Sequence, residues 1–236
     1  MSMMKRRSSL RFKRLLSRLL PDSERLRYLA HLPRLESWRR RNLPEQALHT
    51  TRFELYDHLN ASVLGNAAIE FLEFGVYRGA SIRHWAEINS NAESRFVGFD
   101  TFEGLPEAWA HFTETSPAGL YDTGGETPRL EDSRVRFVKG RFQETLRGYL
   151  RSRESTARQL VLNLDADLYS STLYVLTRCD EILVPGTIVI FDEFSAVLHE
   201  FRALEDYCAS HLRRYELLAA TRSETSWFDQ VAIRML

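Results

Sequence analysis

Five short apolar runs, at residues 69–74, 95–100, 134–138, 160–165 and 187–192, recur along the chain with helical stretches between them. Most are close to continuously hydrophobic rather than alternating, which is how strands buried on both faces read. Strands alternating with helices predict a parallel sheet, and right-handed crossovers then bring every strand's C-terminal end to one edge. Two further runs, 215–220 and 231–235, lie close enough to form an antiparallel pair. The pattern predicts a doubly wound, mostly parallel α/β sheet of seven strands whose ligand edge is the set of strand C-termini. Residues 21–60 read as helical, with Pro33 and Pro44 as breaks, so the expected division is an N-terminal helical extension (1–60) and a ligand-binding domain (61–236). The connection 101–132, rich in Gly, Pro and Thr, is expected to be a lid or binding element.

Charge divides the chain unevenly. Residues 1–41 hold 13 Lys or Arg against 3 Asp or Glu, whereas the remainder holds 19 against 29. Phe12, Leu15, Leu16, Leu19 and Leu20 share one helical face, and Arg11, Lys13, Arg14 and Arg18 occupy the others. Such a basic amphipathic helix is expected to dock on its own protein, on a second subunit in a homodimer, or on an anionic membrane surface through residues 10–20. No nucleic-acid partner is expected, because the basic run lacks interleaved aromatics and the rest of the chain is acidic. The absence of a long apolar window excludes a membrane span. The broken leucine run and the lack of a small-residue cleavage site argue against secretion, so a cytoplasmic protein is expected. The two cysteines, Cys179 and Cys208, lie 29 positions apart outside any ligand motif and predict neither a disulfide framework nor a zinc site.

The first strand runs into Glu73-Phe74-Gly75-Val76-Tyr77-Arg78-Gly79-Ala80-Ser81. Gly75 and Gly79 allow a tight turn and close approach of backbone to a ligand. Tyr77 stands where a dinucleotide site places its second glycine beside the pyrophosphate, so a ligand without phosphate is favoured. Asp100 ends the second strand 27 residues after Glu73, where an acid accepts hydrogen bonds from a ribose diol. Glu73 beside it would face a cationic ligand. The alternative for both acids is strand-end capping and turn formation. The fourth and fifth strands also end in acids, Asp165 with Asp167 and Asp192 with Glu193. Neighbouring parallel strands bring Asp165 and Asp192 together, and two or three such carboxylates suit a hard cation. Asp167, two residues past Asp165, is expected to point away or to cap the next helix.

The strings FLEFGVYRGAS, VGFDTFEGLPEAW, FVKGRFQETL, LNLDADLYSST and PGTIVIFDEF, in that order, resemble the macrocin O-methyltransferase group of class I S-adenosylmethionine-dependent methyltransferases. The resemblance runs from about Ile69 to the C terminus and does not cover the first 60 residues. It implies a Rossmann-like methyltransferase fold, methyl transfer to a hydroxyl of a sugar, glycan or other polyol-containing small molecule, and S-adenosylmethionine as cofactor. By it, Glu73, Gly75, Tyr77, Gly79 and Ser81 shape the methionine and turn region, Asp100 and Thr101 the ribose edge, and Gly140, Arg141 and Phe142 the adenine edge. Characterised members use Mg2+, and their metal acids map to Asp165, Asp192 and Glu193. The last is a departure, since those members carry Asp there. Two mechanisms therefore stand open: magnesium assistance, or Asp165 as a simple general base with Asp192 or Glu193 orienting the acceptor.

Trp109, Tyr169 and His199 fall in segments expected to line an acceptor pocket, with Glu200 as a softer candidate. Two rival readings are an NAD-dependent oxidoreductase, disfavoured by the missing GxGxxG, and a non-catalytic nucleoside-binding Rossmann-like module.

Overall fold

Where a strand is buried on both faces, its successive side chains must feed two separate cores. That is what β2 (Ile69–Phe74) does: all six residues are buried, with Leu72 and Phe74 in one hydrophobic cluster and Ile69 and Phe71 in the other. A computed structural model of the chain describes residues 12–18, 23–43, 48–154, 157–224 and 226–236. The chain begins with α1 (residues 12–18), α2 (Glu24–Asn42), β1 (Leu48–His49), α3 (Arg52–His58) and a π-helical turn, Leu59–Leu64. Then come β2, α4 (Ala80–Ile88), β3 (Arg95–Asp100), the short β4 (Trp109–Ala110) and β5 (Thr115–Ser116), and β6 (Val135–Lys139). The last part runs α5 (Phe142–Ser152), β7 (Gln159–Leu164), α6 (Tyr169–Cys179), β8 (Ile188–Phe191), α7 (Glu200–His211), β9 (Tyr215–Thr221) and β10 (Val231–Met235).

The main sheet has the order β1-β9-β10-β8-β7-β2-β3-β6. All pairings are parallel except those of β10, which runs antiparallel to both β8 and β9. From β2 the chain winds to β3 and β6 on one side and to β7 and β8 on the other, so the crevice at the C-terminal end of β2 is the switch point. One face carries α2, α5, α6 and α7, whose Trp38, Leu146, Val175 and Phe201 join the larger cluster; the other carries α3 and α4 through Leu55, Tyr56, Ile82 and Trp85.

The doubly wound fold and the antiparallel final pair are as expected, but the sheet has eight strands rather than seven. The additional strand is β1, two residues long and parallel to β9 through Leu48↔Ala220 and His49↔Thr221. Two residues show no periodicity, so the segment reads as part of a helical preface. Pro33 does not break α2, which continues through it. Ser23 caps that helix, and buried Leu35 and Trp38 anchor its second half, the indole N–H donating to the Tyr215 hydroxyl at 2.8 Å. Pro44, Leu19 and Leu20 lie outside the described residues. Among those described, no helix is long and apolar enough to cross a membrane.

One buried charge needs a partner for the fold to hold. Glu70, on β2, is 5% exposed and accepts two hydrogen bonds from Arg153 Nε and one from Nη2 at 2.6 Å, with the Tyr149 hydroxyl donating a further one at 2.6 Å. Arg153→Ala strands that carboxylate inside the protein. It is expected to cost about 3–5 kcal/mol, read as a lower urea midpoint at unchanged m-value.

Candidate active site

A cleft opens at the switch point, with about 990 Å3 of empty space including its open mouth. Its floor is the turn after β2. Gly75 has φ +93, and a Cβ there would lie 1.7 Å from the carbonyl oxygen of Asp165, so only glycine lets β2 and β7 run this close. Tyr77 and Gly79 also have positive φ, and Gly79 is the residue before α4. Asp100 holds the turn from β3: one carboxylate oxygen accepts from the amides of Val76 and Tyr77 at 2.7 and 2.8 Å, the other from Phe102 at 2.8 Å. The turn-forming role is thus present, and a carboxylate with about four lone-pair sites retains capacity for a ligand.

Asp165 and Asp192 follow β7 and β8, whose last residues Leu164 and Phe191 are register partners, and both carboxylates reach the cleft. Burial and the neighbouring Asp192 push the Asp165 carboxyl well above the ordinary carboxylate range, while burial also raises Asp192. Glu193 is raised to about 7 and Asp167 to about 8, burial being the main cause for each and Asp192 and Glu193 the next. The expectation for Asp167 is overturned. It has φ +58 and lines the cleft, because the strand ends at Leu164 and period-two alternation no longer governs residues 165–167.

Of the residues marked from sequence, Gly75, Tyr77, Asp100, Thr101, Arg141, Phe142, Asp165, Asp192 and Glu193 line this one cleft. Glu73 and Ser81 lie beneath it. Glu73 Oε1 accepts from Asn163 at 3.2 Å, Tyr56 donates to Ser81 and to Asn163 at 3.4 Å, and Glu73 Oε2 has no protein partner. Burial drives the Glu73 pKa well up. Gly140, with φ +135, supports the wall by donating its amide to the Asp100 carbonyl at 2.9 Å. Trp109, Tyr169 and His199 come together but do not line the cleft. His199 accepts from the Tyr169 amide at 3.3 Å and contacts the Ala110 carbonyl at 2.8 Å, tying β4 to the start of α6, and the Trp109 ring meets it edge-on. Burial lowers the His199 pKa, which suits a neutral structural imidazole. Glu200 is fully buried and accepts the Glu193 amide at 2.9 Å.

Two lining residues lie outside every motif that the sequence offered. Tyr121 comes from the long connection and closes the wall against Tyr77, ring centroids 5.4 Å apart; no motif marks it. Arg52 comes from the first turn of α3, outside every matching string. Its Nη1 lies 3.4 Å from Asp165 and its Nη2 3.1 Å from Asp192. The guanidinium therefore stands between the two acids where the resemblance implies magnesium, and the described residues contain no group of three His, Cys, Asp or Glu arranged to hold a metal. In this arrangement the donor set does not fit a metal, and no step is assigned to one.

The lining is chemically one-sided: five carboxylates (Asp100, Asp165, Asp167, Asp192, Glu193) face two guanidiniums (Arg52, Arg141), with Val76, Leu105, Pro106 and Phe142 supplying apolar surface. It favours a cationic, hydroxyl-bearing ligand with a flat apolar part over a pyrophosphate.

Comparison with known proteins agrees with that class. The family model described as a methyltransferase domain matches residues 72–194, and the chain belongs to this methyltransferase family. The 8-demethyl-8-(2,3-dimethoxy-alpha-L-rhamnosyl)-tetracenomycin-C 4'-O-methyltransferase of Streptomyces olivaceus is 31% identical over 156 residues, 56% of this chain and 58% of that protein. The match thus spans a little over half the length of that curated relative. The same fold occurs in the O-methyltransferase NovP (24% identity, 78% of each chain, TM-score 0.57). It occurs also in the calicheamicin methyltransferase CalS11 (22% identity, 99% of this chain and 93% of that one, TM-score 0.59).

The turn supplies a direct test. Gly75→Ala combines an unfavourable φ with a backbone clash and is expected to destabilise the chain strongly and abolish ligand binding. Gly119→Ala, at φ +83 with nothing near its Cβ, should cost only the conformational term of roughly 1–3 kcal/mol. Equal thermal midpoints for the two variants would contradict the close β2–β7 approach.

Proposed function

We propose that the chain is an S-adenosylmethionine-dependent O-methyltransferase acting on a hydroxyl of a sugar or another polyol-bearing small molecule. The observation that carries this reading is the meeting of Asp165 and Asp192 beside the Gly75 turn, in the same cleft as Asp100 and Phe142. When bound, the cofactor supplies an electrophilic methyl group on a sulfonium. The acidic lining favours that positive charge, Phe142 offers an aromatic surface for a base, and Asp100 sits where a ribose diol would be held. Under the turn, Glu73 Oε2 is buried without a protein partner and is free to hydrogen-bond a ligand group.

Asp165 is the base in this scheme. Its side chain is 25% exposed, enough to meet an acceptor hydroxyl within hydrogen-bond reach. The Asp165 carboxylate would accept the proton of the acceptor hydroxyl as that oxygen becomes methylated, the sulfonium charge being discharged in the same transfer. Most of the rate comes from holding the oxygen in line within a water-poor cleft. A sugar acceptor is supported by the Streptomyces relative, whose own name places its methyl on a rhamnosyl group.

Calorimetry is expected to show S-adenosylhomocysteine binding and no binding of NAD. A screen of glycosides and nucleotide sugars should identify an acceptor, with Asp165→Asn lowering kcat at least about 100-fold while leaving cofactor affinity nearly unchanged. Wild-type turnover by Asp165→Asn would overturn the assignment of the base.

The basic N-terminal helix is read as a contact element for an anionic membrane surface. On α1, Phe12 and Leu15 are exposed beside Lys13, Arg14 and Arg18. Deleting residues 1–20 should abolish salt-sensitive sedimentation with anionic vesicles. A change of oligomer size on deletion would instead assign the stripe to a second subunit.

A further inference from the structure

Two buried or half-buried carboxylates at one strand edge repel each other unless a positive charge sits between them. In this protein that charge is a side chain. Arg52 bridges Asp165 Oδ2 and Asp192 Oδ2 at 3.4 and 3.1 Å, and it lines the cleft with its side chain 34% exposed.

The bridge is built in, because the backbone carrying it is pinned on both sides. Before Arg52, β1 pairs with β9, and the His49 carbonyl accepts the Arg222 amide at 2.8 Å. Around it, the Thr51 hydroxyl accepts the Glu54 amide at 3.2 Å while the Glu54 carboxylate accepts the Thr50 amide at 2.8 Å, a capping arrangement that fixes the first turn of α3. After it, Leu55, Tyr56 and Leu59 are fully buried. The acids are committed in turn. Asp192 Oδ1 accepts from Gln230 Nε2 at 3.1 Å, and the Gln230 amide orientation is set by a hydrogen bond from the Thr221 hydroxyl to its oxygen. Both Asp192 oxygens are therefore engaged, one by an amide and one by a guanidinium. Thr221 and Gln230 belong to β9 and to the residue before β10, so one strand pair positions both Asp192 and β1.

We propose that Arg52 is the resident cation of this site: it takes the place a divalent metal would hold, and it positions Asp165 and Asp192 for methyl transfer without a metal. The proposal rests on the O-methyl-transfer reading of the cleft. A guanidinium is always charged and has five N–H donors in a fixed fork. Two of its nitrogens serve the carboxylates, and its exposed part faces the cavity, where a remaining N–H can meet the acceptor oxygen. Arg52 thereby supplies the charge and orientation that magnesium would supply, with no open coordination position.

The test is a Mn2+ titration of the full chain followed by electron paramagnetic resonance, beside methyl-transfer assays in EDTA. In wild type the free Mn2+ signal should persist and turnover in EDTA should equal that in Mg2+. Arg52→Ala should vacate the space between the acids, bind about one Mn2+, and lose turnover in EDTA by roughly 100-fold, the scale of a misplaced reacting group. Added guanidinium should restore part of that turnover, which a merely structural role would not allow. One equivalent of Mn2+ bound by wild type and lost in Asp165→Asn would overturn the proposal, and so would wild-type turnover of Arg52→Ala in EDTA. If Arg52→Ala does not fold, the wild-type titration decides alone. Cofactor calorimetry separates this outcome from the methyltransferase reading, because the cation's identity is read with no acceptor present.

Discussion

The cleft depends on the charge balance between Arg52 and the Asp165–Asp192 pair. Each carboxylate ends a strand, and β7 and β8 are in register, so the acids cannot separate without breaking the sheet. Desolvation raises both acids, and the Arg52 charge opposes that rise at each while leaving Asp165 partly open to the cleft. The β1–β9 pairing and the capped turn of α3 that hold Arg52 are in this sense part of the candidate site, although their sequence is remote from it.

The β-strands of the βα core could be read from sequence because each is six or fewer residues of dense apolar character bounded by turn residues. The acids could be read because they fall at strand ends, where a parallel sheet gathers them. Asp167 was misread for the complementary reason: alternation holds only within a strand, and the chain has left β7 by that point. β1 and Arg52 were invisible. A two-residue strand has no period, and an arginine in the first turn of a short helix looks like a solvated surface residue until the tertiary fold brings the acids to it. Trp109, Tyr169 and His199 were expected to line an acceptor pocket, yet they secure the connection that covers the cleft and do not line it.

That connection links fold to function. It contributes Gly104, Leu105, Pro106 and Tyr121 to the cleft wall, and His199 fastens its β4 segment to α6. Binding residues on a covering loop, with the charged residues on the rigid sheet edge beneath, allow acceptor specificity to vary while the reacting groups stay fixed. The short Tyr77–Tyr121 ring contact marks where that cover meets the turn after β2.

The central claim is that one rigid edge binds the cofactor and carries its own cation. A crystal structure grown with S-adenosylhomocysteine and MnCl2, with data collected above the manganese edge, tests it most directly. The account predicts the nucleoside between Asp100 and Phe142, the Arg52 guanidinium within hydrogen-bonding distance of Asp165 and Asp192, and no anomalous peak between those carboxylates. A manganese peak there with Arg52 turned away, or a nucleoside bound outside this cleft, would contradict it.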